Sequence, residues 1–175
     1  LRDGGSEIVV TTPPSLDRLA VVAPLVQYVG ATVRVEDGAS VKVDTGDSVY
    51  EFDRDEIELG VGRVLRAVFG LDCLARCGGP NEPGELTRLD VLDRAGLSDD
   101  DLYDRPIEQR IDAYLSRLGE ERVPVDEFPE WHFWLSVQPS YDRLPALVAS
   151  LEHLPAVESV TEPHESWDRS ELGTT

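Results

Sequence analysis

The stretch WHFWLSVQPSYDRLPALVASLEHLPAVESV, residues 131–160, decides the architecture. In WHFWLSVQ the alternation puts Trp131, Phe133, Leu135 and Val137 on one face of a strand, and His132, Trp134, Ser136 and Gln138 on the other. Ser140 stands where a helix N-cap belongs, and YDRLPALVASLEHL carries an apolar stripe at Leu144, Leu147, Val148, Leu151 and Leu154. AVESVTE reads as a second strand. Period 2, then 3.6, then 2 is the pattern of a compact βαβ unit.

The N-terminal part has the same kind of order. EIVVTT is a strand, stopped by PPSLDR, with Ser15 as N-cap of a helix carrying Leu19, Val22, Val26 and Val29 and closed by Gly30. Pro24 is expected to kink or split that helix, because its ring clashes with the preceding turn. Alternation at Val33 and Val35, then at Val41 and Val43, with Asp37-Gly38 between, predicts a hairpin, and SVYEF adds a third extended piece to a small meander. Asp53 with Glu56 opens a long helix through Ile57, Val61, Val64, Leu65, Val68, Leu71 and Ala75, which ends at Gly78-Gly79. Pro106 starts a further helix through Ile107, Ile111, Tyr114, Leu115 and Leu118. The expected fold class is α+β: a mixed or antiparallel sheet with helices packed on it and a ferredoxin-like or ACT-like C-terminal βαβ unit. The 175 residues are read as one such domain, with sub-units at 7–79 and 106–162 joined by the loop-rich 80–105. With Leu1 as its first residue and no Met, the chain is expected to be a piece of a longer protein.

Charge limits the function classes. Thirty-five acidic residues against 16 basic ones give a net charge of −19, and Lys42 is the only lysine. Such a surface suits molar salt, where the Debye length falls to about 3 Å and self-repulsion is screened. It argues against a nucleic-acid partner, since counterion release needs a basic patch. No apolar run reaches the length of a membrane span, so a cytoplasmic location and no membrane partner are expected. Other domains of the same longer chain, a second copy or a protein partner remain as expected partners.

Catalytic chemistry finds little to stand on. GVG at 60–62 falls inside a helix rather than in a phosphate loop, and no cofactor is implied. Cys73 and Cys77 are spaced for one helix face, so they read as core packing rather than as a redox pair or half a metal site. The run SDDDLYDRP, from Ser98, offers carboxylates for a hard cation but lacks the alternate-position ligands of a calcium loop. His132 sits among aromatics that could desolvate it, although an outward position on an edge strand explains it as well. His153 suits a helix C-terminus, and His164 lies in the tail without defined partners. Trp134, on the opposite strand face from Trp131, calls for something to cover it.

Four stretches, VAPLVQYVGATV, LDCLARCGG, DLYDRPIEQRIDAYL and PEWHFWLSVQP, together resemble segments from the middle of large haloarchaeal multi-domain proteins, over residues of about 8 to 155. That resemblance implies an accessory domain beside a caspase-like CHAT region elsewhere in a longer chain. The leading expectation is therefore a non-enzymatic structural, sensory or protein-interaction module. The alternative is a small-molecule-binding regulatory domain with its ligand near Ser140 and Tyr141, at the N-terminus of the C-terminal helix. A metal-dependent enzyme using His132 and carboxylates of 98–104 comes third.

Overall fold

The computed structural model describes residues 8–53, 55–77, 87–128 and 134–160. In chain order these form β1 (Val9–Thr12), α1 (Leu16–Val29), β2 (Thr32–Val35), β3 (Val41–Asp44), β4 (Val49–Phe52), α2 (Ile57–Cys77), α3 (Thr87–Ala95), α4 (Asp99–Tyr103) and α5 (Ile107–Gly119). A 3-10 turn at Val125–Glu127 leads on to β5 (Trp134–Val137), α6 (Leu144–Ser150) and β6 (Ala156–Ser159). The class is α+β, with a four-stranded mixed sheet and helices packed on it.

The sheet order is β2-β1-β3-β4. β1 takes the interior place because its inward side chains need cover on both flanks. Val10 is fully buried and faces Val33 of parallel β2 on one side and Val43 of antiparallel β3 on the other. The hairpin expected at Asp37-Gly38 is therefore not formed. Residues 36–40 instead arch over the end of β1, and the Glu36 N–H donates to the Thr12 carbonyl at 3.1 Å. Turn chemistry identified a reversal correctly but not the strand lying between its two arms. β2, exposed along its whole length, forms an edge; among the described residues only β3 and β4 pair as a hairpin, around Thr45 and Gly46.

α1 runs through Pro24 without ending there, and the proline is itself buried. Gly30 closes the helix with φ 70°, a conformation that glycine adopts without a Cβ penalty.

The C-terminal strands do not extend the first sheet. β5 and β6 pair in parallel as a separate two-stranded sheet, from Trp134 opposite Ala156 to Val137 opposite Ser159. The strands are direct neighbours, so the likeness to a ferredoxin-like unit, where a strand lies between the two, is confined to the βαβ order. The helix expected over 141–154 is broken into a 3-10 turn at Tyr141–Arg143, the seven residues of α6 and another 3-10 turn at Leu151–His153. β6 lies against both α1 and α2. The Glu58 carboxylate ties this seam, accepting from the Ser159 N–H at 3.2 Å and lying 3.8 Å from Arg18. One hydrophobic cluster thus runs from Ile8 through α1, α2 and α5 to Val157.

Candidate functional site

α2 does more than fill the core. Its apolar stripe passes through Leu65 and Val68 to Asp72, a carboxylate where the period calls for a hydrocarbon. Asp72 is 3% exposed and accepts from the Tyr28 hydroxyl of α1 at 3.2 Å and from Arg110 Nε at 2.9 Å and the Tyr114 hydroxyl at 3.3 Å, both of α5, while Arg76 of α2 pairs with it at 3.0 Å. Burial, and after it the Asp72 charge, raise the phenols of Tyr28 and Tyr114 well above the usual tyrosine value. With its oxygens engaged this way, Asp72 locks α1, α2 and α5 together.

Chemistry with space beside it lies on the other side of α2. A cleft of about 320 Å³, open along one side, is lined among the described residues by Leu59, Gly62, Arg63 and Arg66 of α2, Val125 and Asp126 of the 3-10 turn, and Trp134 of β5. Gly62 forms part of its lining: a Cβ there would lie 3.1 Å from Cη2 of Trp134, so the absent side chain lets the indole settle close to the helix backbone. Trp134 is 49% exposed and Leu59 69%, an apolar wall left open to solvent. Arg66 is oriented by donating through Nη2 to the Phe128 carbonyl, while its Nε, shielded from bulk water, has no acceptor among the described residues. Among the described residues no carboxylate lies within ion-pair distance of Arg63 or Arg66, and no cation lies so near Asp126.

The expected site residues fare unequally. Trp134 forms a wall of the cleft. His132, Trp131, Phe133 and His164 lie outside the described residues. Ser140 adopts the extended backbone of a cap but makes no side-chain cap hydrogen bond, and the turn after it is 3-10, with Pro145 at the start of α6. Tyr141 is 83% exposed. Neither Ser140 nor Tyr141 is among the residues that line the cleft beside α2. Ser98 likewise caps α4 without a side-chain bond, and among the described residues no group of His, Cys, Asp or Glu is placed to hold a metal ion. Cys73 is half-buried on α2, and the side chain of Cys77 falls outside the described residues.

Arg63 and Arg66 escaped notice in the sequence, being ordinary on the polar face of a helix. The available signal was GVG at 60–62, because glycine inside a helix costs about 1 kcal/mol relative to alanine and so marks a close approach. Compared with family models, curated proteins and solved structures, the chain matches none. No helix among the described residues is long and apolar enough to cross a membrane.

Proposed function

We propose that this domain is a non-enzymatic, small-molecule-binding regulatory module whose recognition element is the cleft between α2, the Val125–Glu127 turn and β5. The observation that carries the proposal is the gathering of Arg63, Arg66 and Asp126, without ion-pair partners among the described residues, around the exposed indole of Trp134. A cleft of about 320 Å³ falls at the lower end of the range of ligand pockets, about 300–1,000 Å³, and combines apolar walls with a few polar groups as those pockets do. The ligand position differs from one near Ser140 and Tyr141, since the arginines and the indole lie together and those two residues do not join them. The proposed setting is the cytoplasm of a salt-loving organism, in keeping with the net charge of −19.

The test is a fragment screen followed by NMR in concentrated KCl, with the Trp134 indole signal assigned through Trp134→Phe. Saturable shifts of that signal and of the Arg63 and Arg66 side chains are expected for at least one small polar aromatic. If hits move other regions only, the cleft is not the recognition element. A protein that engages Leu59 and Trp134 while no small molecule does would favour the interaction module.

A further inference from the structure

Within the reading of this cleft as the recognition site, its charges select among ligands. Arg63 and Arg66 stand one turn apart on α2, so both guanidinium groups serve the same side of the cleft. Asp126 comes from a different element, the 3-10 turn. None of the three forms an ion pair with another, although all line one cavity. Leu59, Val125 and the Trp134 indole supply apolar surface between them.

We propose that the cleft takes a zwitterionic α-amino acid with an apolar side chain. Its carboxylate would meet Arg63 and Arg66, its ammonium Asp126, and its side chain the face of Trp134. Guanidinium groups suit a carboxylate because they offer parallel N–H donors. Arg66 is held for this by Phe128, and its Nε–H lacks an acceptor among the described residues. A buried donor without a partner is rare enough to need an explanation, which a ligand oxygen or a water held by it supplies.

The charges that line the cleft separate a zwitterion from a plain anion. At contact distance a zwitterion presents a carboxylate to the arginines and a cation to Asp126. A simple carboxylate would leave Asp126 facing it without a cation. In concentrated salt, where long-range attraction is screened, two short contacts and a stacked side chain are what remain to hold a ligand.

The experiment titrates the whole 175-residue chain in concentrated KCl, following the Trp134 indole by NMR and heat by calorimetry. Four probes are used: L-phenylalanine, 3-phenylpropionate without the ammonium, 2-phenylethylamine without the carboxylate, and glycine without the side chain. L-Phenylalanine is expected to bind saturably and each of the others about tenfold more weakly or worse, the scale of a lost charged hydrogen bond. Asp126→Asn should weaken L-phenylalanine about tenfold while leaving 3-phenylpropionate unchanged, and Arg63→Gln should weaken L-phenylalanine about tenfold while leaving 2-phenylethylamine unchanged. Asp126 and Arg63 are exposed, so both variants should keep the parent melting curve.

If 3-phenylpropionate binds as tightly as L-phenylalanine and Asp126→Asn changes neither, the cleft is an anion site: the zwitterion assignment falls and the binding module stands. If no probe moves the indole, the assignment falls as well. The broader reading then falls only if the fragment screen also leaves the cleft signals still.

Discussion

Asp72 on α2 and Arg110 on α5 lie 2.9 Å apart, carboxylate to Nε, with side chains only 4% and 10% exposed. A pair so far from water is held in place by what surrounds it: the Tyr28 and Tyr114 hydroxyls on the carboxylate and the Arg105 carbonyl, 2.9 Å from Nη1, on the guanidinium. Removing one partner strands the other charge. Asp72→Asn should therefore cost about 3–5 kcal/mol in denaturant unfolding. The double variant Asp72→Leu with Arg110→Met should recover part of that loss, because neither charge is then buried. A single variant losing under about 1 kcal/mol would show that the lock does not hold the helices.

The tyrosines give the same knot a pH dependence. In the folded chain burial and the Asp72 charge raise the phenols of Tyr28 and Tyr114 above the usual value near 10. A raised folded value means that the folded state keeps its protons where the unfolded chain releases them. Stability from this source is complete below about pH 10 and falls as the pH rises from there toward the raised values. Melting temperature measured from pH 8 to 11.5 should drop steeply at the alkaline end, and Tyr28→Phe with Tyr114→Phe should flatten the slope. An unchanged slope in the double variant would refute the assignment.

How far the sequence carried these features depends on what kind of signal each one sent. Helices whose stripes are uninterrupted, such as Ile107–Gly119, were legible because 3.6-residue periodicity is local. The place of β1 between β2 and β3 was not, since strand neighbours are chosen by burial across the whole sheet and Asp37-Gly38 reports only a local reversal. Trp134 was legible as an aromatic on the wrong face. Its partners Arg63 and Arg66 were not, because they meet it only after β5 is set beside α2, about seventy residues away. Asp72 could have been read as a polar residue on an apolar stripe, but its four partners come from three helices, which no local pattern connects.

Two helical glycines make opposite predictions. A Cβ on Gly60 would lie 2.9 Å from Cδ1 of Phe52, whose ring packs under α2 from β4, whereas one on Gly119 meets nothing within 4 Å. Alanine is favoured over glycine within a helix by about 1 kcal/mol. Gly119→Ala, at the last position of α5, should keep much of that gain, while Gly60→Ala should lose it to displacement of the ring and end less stable than the parent. Parallel thermal melts decide this, and a stabilised Gly60→Ala would mean that Phe52 yields freely.

Salt should stabilise the fold without touching its buried lock. At −19 the compact state suffers self-repulsion that the expanded chain relieves. The exposed pairs that salt would weaken, such as Lys42–Glu51 at 3.6 Å and Arg34–Glu36 at 3.9 Å, contribute at most about 1 kcal/mol each. Relief of repulsion therefore wins, and the melting temperature should climb from 0.1 to 2 M KCl (about 10 to about 2–3 Å in Debye length). Asp72 and Arg110 lie where ions do not reach, so the cost of Asp72→Asn should be nearly the same at both concentrations. A parent melting temperature that stays flat or falls would contradict the self-repulsion argument, and a penalty that disappears in high salt would place the Asp72 pair within reach of solvent.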